Sequence, residues 1–201
     1  MKQLKSLLII FLMVLSPAVW CESTAVPMLQ TTANQIIDTL KQNRSVIKQD
    51  HAVIYQAVQR YLLPHVDVGG MSRSVLGRNA WNKATANEKK EFTQAFTALV
   101  IRTYATPLAE YSGETVKFLP ERAASSGRFS RVNSVILRPN GQQIPLSYAL
   151  VSKNGEWKIY DLSVEGVSLL QSFRTQFAEL LRASSMKDLI AEMHTHTKAA
   201  S

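Results

Sequence analysis

The stretch Trp157 to Phe177, WKIYDLSVEGVSLLQSFRTQF, changes its hydrophobic period halfway along, and this constrains the fold more than any other feature of the chain. Up to Val164 the apolar residues come at strand spacing. From there Val167, Leu170, Phe173, Phe177 and Leu180-Leu181 form the stripe of a helix. Gly166 stands at the switch and reads as the residue whose free φ lets the chain turn from strand to helix. Within the strand, alternation puts Trp157 and Ile159 on one face and Leu162 and Val164 on the other. Either a bulge near Asp161 shifts the register or both faces of the sheet are covered.

The residues before this stretch supply the rest of the sheet. Thr115 to Leu119 reads as a short strand, and Phe129 to Arg138 and Gln143 to Ser152 flank Pro139-Asn140-Gly141, a hairpin signal. Lys153-Asn154-Gly155-Glu156 is a second turn, leading into Trp157 to Val164. Short turns make this an antiparallel meander of about four strands. Ile144, Leu146, Tyr148 and Leu150 alternate with less apolar neighbours, so one face is buried.

Helices precede and follow. Val26 to Pro64 carries two helical stripes, and Pro64 ends the second. A short helix fits Met71 to Leu76. Thr85-Ala-Asn-Glu88 is a capping box that opens a long helix with Phe92, Phe96, Leu99, Val100, Tyr104, Leu108 and Tyr111 in its stripe. Pro107 should kink it near Thr103, and Gly113 sits where its C-terminal cap belongs. A last short helix spans about Met186 to Met193, with a polar tail from about residue 195. The fold class is α+β: a curved antiparallel sheet with helices packed over its concave face.

The N-terminus reads as an export signal. Lys2 and Lys5 precede the apolar run Leu7 to Leu15, too short to span a bilayer comfortably, and Ser16-Pro17 breaks it. Cleavage after Cys21 makes residues 1–21 the leader and 22–201 a single domain; cleavage after Ala18 competes. Trp20 fits badly before a lipid-bearing cysteine. Cys21 is the only cysteine, so an exported chain without it must be held by its core. The net charge of +8 stays positive when Lys2 and Lys5 leave, which suits anionic headgroups or acidic partners. No basic run interleaved with aromatics points to nucleic acid.

Little in the chain speaks for catalysis. There is no Gly-x-Ser-x-Gly, no His-Glu-x-x-His, no phosphate loop and no dinucleotide fingerprint. His194-Thr-His196 lacks acidic or thiol partners at metal-binding spacing. Asp161 and Glu165 are the one candidate acid–base pair, since residues four apart on a strand point the same way. Against that stands a structural role, tying down the turn. The apolar stripes remain, and spacing alone does not separate a filled core from a cavity. By periodicity, candidate lining residues are Phe96, Val100 and Tyr104 of the long helix, Leu146, Tyr148, Leu150, Leu162 and Val164 of the sheet, and Val167 and Leu170 of the following helix.

The opening stretch, with Leu180-Leu181-Arg182 and Asp188 to Ile190, resembles the MlaC family, periplasmic phospholipid-binding proteins first tied to toluene tolerance. Trp157, Tyr160, Asp161, Glu165, Gly166, Val167 and Ser168 match its Trp-x-x-Tyr-Asp strand and Glu-Gly-Val-Ser block. RTYATPLAEYSGETVKFLP (Arg102 to Pro120) and RPNGQQIPLSY (Arg138 to Tyr148) match further blocks, and the likeness runs from about Ile36 to Met193. Leu189 departs from it, standing where many relatives have glycine. The resemblance implies a monomeric periplasmic carrier, not an enzyme, with no cofactor. It holds a glycerophospholipid in an apolar pocket. It shuttles this cargo between an outer-membrane lipoprotein–porin complex and an inner-membrane ABC transporter carrying an MCE-domain ring, and so maintains outer-membrane lipid asymmetry. Two readings stand beside it: a small-molecule enzyme on a related cone-shaped fold using Asp161 or Glu165, and an interaction module with a filled core and an exposed apolar patch.

Overall fold

The computed structural model describes residues 25–120 and 127–199, so the expected leader and Cys21 lie outside the described residues. The helices α1 (Val26–Gln42), α2 (Ala52–Ala57), α3 (Val68–Leu76), α4 (Arg78–Lys83) and α5 (Ala86–Ala109) come first. Strands β1 (Thr115–Phe118), β2 (Phe129–Leu137), β3 (Gln143–Lys153), β4 (Glu156–Val164) and β5 (Val167–Ser168) follow, then α6 (Leu169–Ala183) and α7 (Met186–Ala199). The sheet is an antiparallel meander in the order β1-β2-β3-β4-β5. This is the expected α+β class, with one strand more than the expected four.

α5 opens as its capping box requires. The Thr85 hydroxyl accepts the Glu88 N–H, and the Glu88 carboxylate accepts the Thr85 N–H at 2.8 Å. The helix ends at Ala109 and not at Gly113, which lies at φ 120 in the connection to β1, so Pro107 falls in its last turn. α2 runs into a π-helical turn (Val58–Leu62) and a short 3-10 turn at Leu63–His65, which contains Pro64. α3 starts three residues earlier than expected because Asp67 caps it, accepting the Gly70 N–H at 3.0 Å. α4 was not foreseen. The tail expected from about residue 195 is instead the end of α7, which runs to Ala199.

Two turns shape the sheet's far end. Asn154 and Gly155 (φ 53 and 82) and Glu165 and Gly166 (φ 52 and 84) are both two-residue hairpin turns with positive φ at each position, the twist that matches adjoining strands. Gly166 therefore belongs to a β4–β5 hairpin and not to a direct strand-to-helix switch. Val167 pairs with Val164 in β5 and is not the first residue of the helical stripe.

The register conflict in β4 is resolved by a bulge. Ala149 pairs with Asp161 but Leu150 pairs with Ile159, so Tyr160 is the extra residue. The shift puts Trp157, Ile159, Leu162 and Val164 on one face. Register carries the same face through Leu146, Tyr148 and Leu150 of β3, Val132, Ser134 and Ile136 of β2, and Val116 and Phe118 of β1.

Three apolar clusters form among the described residues. One joins α3, α5, α6 and α7 around Phe92, Phe96, Phe173 and Phe177, whose rings meet edge-on or stacked at 5.4–6.1 Å. A second packs α1 and α2 against the C-terminal half of α5. The third seats Ala25, which precedes α1, and Leu29 of α1 on Val132, Leu150 and Ile159 of the sheet. Beside it the Asp67 N–H bonds to the Ile159 carbonyl at 2.8 Å, and the Asp67 carboxylate pairs with Lys153 at 2.6 Å, fastening the helices to β3 and β4.

Candidate functional site

The sheet face just described is apolar apart from Ser134, but only one end is filled. Under α1, Val132 and Leu150 are 0% exposed and Ile159 4%. At the other end Val116, Ile136, Ile144, Leu146, Leu162 and Val164 are only half-buried. Register makes these six neighbours, since Ile136 sits between Val116 and Ile144, and Leu146 is paired with Val164. They form an apolar shelf three strands and an edge wide, with Tyr148 at its inner boundary. The Tyr148 ring stacks on Phe118 at 6.0 Å, and its hydroxyl receives the Ser134 hydroxyl at 3.4 Å. Burial pushes the Tyr148 phenol up, so it stays neutral.

The expected lining residues separate into four groups. Leu146, Tyr148, Leu162 and Val164 come together on the shelf. Phe96, Leu150 and Leu170 are buried within the clusters, at 2%, 0% and 8% exposure, where periodicity had them facing a pocket. Val100 and Tyr104 are half-buried but pack with the helical cluster. Burial first and the Asp161 carboxylate second push the Tyr104 phenol up. Val167 is 64% exposed at the sheet edge, because the Glu165-Gly166 turn holds it in a strand. Val116, Ile136 and Ile144 share this face and were not among the expected residues, although extending the alternation of β3 to its two neighbours finds them.

Asp161 and Glu165 are not brought together. Asp161 lies on the opposite face from the shelf, where its carboxylate accepts the Ser168 hydroxyl at 2.6 Å and the Leu162 and Leu170 N–H groups at 2.8 and 3.1 Å. Ser168 in turn caps α6 by accepting the Gln171 N–H. Glu165 is exposed in its turn. The carboxylates that would serve an acid–base pair are thus a helix-start clamp and a solvent-facing turn residue. Among the described residues no three His, Cys, Asp or Glu side chains gather as a metal site, and no helix is long and apolar enough to cross a membrane.

Fold and site together define a mixed α+β protein with an open antiparallel sheet that offers a partly covered apolar face. The model of the MlaC protein family matches residues 30–195, and the chain belongs to that family. It is 29% identical over 154 residues to the toluene tolerance protein ttg2D of Pseudomonas putida, covering 77% of this chain and 71% of that one. It is 27% identical over 175 residues to the intermembrane phospholipid transport system binding protein MlaC of Haemophilus influenzae, covering 86% and 81%. Its fold is similar to that of a phospholipid-binding protein of Ralstonia solanacearum solved with a phospholipid, with a TM-score of 0.81 at 24% identity over 89% of this chain and 99% of that one.

Proposed function

We propose that the chain is a phospholipid-binding transport protein that lays acyl chains along the apolar shelf. The observation that carries this reading is the half-filled sheet face: Val116, Ile136, Ile144, Leu146, Leu162 and Val164 are apolar and contiguous, yet no cluster of the described residues closes over them. Family membership and the names of the relatives support the same cargo.

The physics of carriage fits this surface. Two acyl chains hold roughly 30 methylenes, each stabilised by about 0.8 kcal/mol on leaving water. A carrier between membranes must come close to matching that stabilisation without exceeding it. Aliphatic contacts achieve this, whereas polar contacts to the tails add only desolvation cost. The finer reading is a periplasmic monomer, exported by residues 1–21 and folded as one domain from residue 22. It exchanges lipid with an outer-membrane lipoprotein–porin complex and an inner-membrane ABC transporter bearing an MCE-domain ring, without cofactor or catalysis. The basic surface suits acidic partners or headgroups.

The experiment is native mass spectrometry of the full chain expressed with its leader and recovered from a bacterial periplasm, followed by lipid extraction. A stoichiometric adduct of phospholipid mass is expected. A lipid-free protein that also takes up no phospholipid from vesicles overturns the reading.

A further inference from the structure

Away from the face of the shelf, where the connection between α1 and α2 meets the end of α5, lies a cleft of about 300 Å³. It is lined by Arg44, Lys48, His51, Ala109, Glu110, Tyr111 and Ser112. That volume is at the lower end for small-molecule sites. Arg44 and Lys48 are exposed, and neither forms an ion pair with another described residue. Arg44, Lys48 and a histidine line the cleft with one carboxylate, Glu110, while Asp38 and Glu114, which also act on its Tyr111, are paired with Lys41 and Arg138, so the lining itself carries net positive charge.

A second, independent observation lies in its wall. Tyr111 is 7% exposed, and its hydroxyl is buried without a hydrogen-bond partner among the described residues. Buried hydroxyls are normally paired, and an orphan beside cations is a donor in need of an acceptor. Burial first and the Glu114 carboxylate second push this phenol up, Arg44 pulls it back, and Asp38 adds a smaller push upward. The hydroxyl thus remains a proton donor at neutral pH.

The cleft's position ties it to the shelf. Residues 110–114 lead directly into β1, whose Val116 is the outermost shelf residue. Glu114 meets Arg138 at 3.8 Å, and Gly113 lies against Pro139 of the β2–β3 hairpin. The cleft and the open end of the shelf therefore share the loops at one end of the sheet.

We propose that this cleft is a binding site for a phosphate group, with Arg44 and Lys48 supplying the charge and the Tyr111 hydroxyl donating a hydrogen bond. Arg44 offers a guanidinium fork that matches two phosphate oxygens, and Lys48 a point charge. The phosphate has two possible sources: the headgroup of a phospholipid whose tails occupy the shelf, or free phosphate in solution. The first rests on the function proposed above, and the second does not.

The test loads the full mature chain from vesicles of equal amounts of phosphatidylethanolamine and diacylglycerol, which share tails and differ in the phosphate, and reads both lipids by native mass spectrometry. The zwitterionic phospholipid keeps vesicle charge out of the comparison. For a headgroup site, Arg44→Ala/Lys48→Ala lowers the phospholipid-to-diacylglycerol ratio about tenfold, the effect of losing charge-assisted bonds. Tyr111→Phe, which keeps the ring in its cluster, lowers the ratio less. For free phosphate, the ratio does not change, but inorganic phosphate shifts the amide resonances of residues 44–51 and 109–112 in wild type and not in the double variant. Either result supports the site. An unchanged ratio with no phosphate response in wild type overturns it. Wild type that loads neither lipid, yet answers inorganic phosphate, overturns the carrier reading alone.

Discussion

The Ser168 hydroxyl donates to the Asp161 carboxylate at 2.6 Å, joining the last long strand to the start of α6. The same carboxylate receives the Leu170 N–H, and Ser168 receives the Gln171 N–H, so two side chains satisfy the first turn of the helix. Removing a part-buried charged acceptor with several donors costs about 2 kcal/mol. Asp161→Ala should therefore lower the urea midpoint, while lipid bound per folded molecule stays at the wild-type level. Loss of loading at full stability would put Asp161 in a functional role and contradict the clamp.

Acid should loosen the helix starts. Hydrogen bonds from the Thr85 N–H and hydroxyl hold Glu88 below its ordinary 4.5, and those from the Ser185 hydroxyl and N–H hold Asp188 below 3.8. A carboxyl depressed in the folded state stabilises above its unfolded value and loses that contribution as pH falls through its folded value. Wild type should thus be more stable than Glu88→Gln/Asp188→Asn at neutral pH, and the gap should close as pH falls through 4.5 and 3.8 and below them. Urea titrations of both proteins across that range check this; a gap constant with pH would show that the capping charges contribute nothing.

The filled and half-filled ends of the sheet should answer mutation differently. Leu146→Trp or Val164→Trp adds bulk where the face is only half covered, so lipid loading should fall severalfold with little change in thermal midpoint. Phe96→Ala opens a cavity inside the aromatic cluster and should cost about 3–5 kcal/mol, with bound lipid falling only as folded protein does. Equal effects of both kinds of variant on stability would mean that the shelf is ordinary core.

How far all this was legible in sequence varies by element. The Thr85–Glu88 box announced α5 because both partners of a capping box are local. The β2–β3 and β3–β4 turns were legible through Asn-Gly pairs, for the same reason. The Glu165-Gly166 hairpin was hidden, since Glu is not a usual positive-φ residue and the apolar stripe of α6 continues backward through Val167. α4 was missed because Gly77 at φ 78 separates it from α3 and none of its residues is buried. For the candidate site, the expected residues Leu146, Tyr148, Leu162 and Val164 do share one sheet face. Alternation could not tell that Leu150 is covered, because Ala25 and Leu29, far away in the chain, do the covering.

The Glu165-Gly166 turn also offers the sharpest separation of structure from function. Both residues hold positive φ, which costs an ordinary L-residue about 1–2 kcal/mol and glycine almost nothing. No atom lies within 4 Å of a side chain built on Gly166, so Gly166→Ala should cost about 1 kcal/mol through backbone strain alone. Glu165→Asn should do the opposite, since Asn tolerates this conformation and Asn-Gly is the pair already used at Asn154-Gly155. That variant should gain a few tenths of a kcal/mol in urea unfolding and load phospholipid as wild type does. Because it deletes a carboxylate of the enzyme alternative while improving the fold, undiminished loading would leave Glu165 with no duty but the turn. A collapse of loading in a more stable protein would instead mark the β4–β5 hairpin as part of the site.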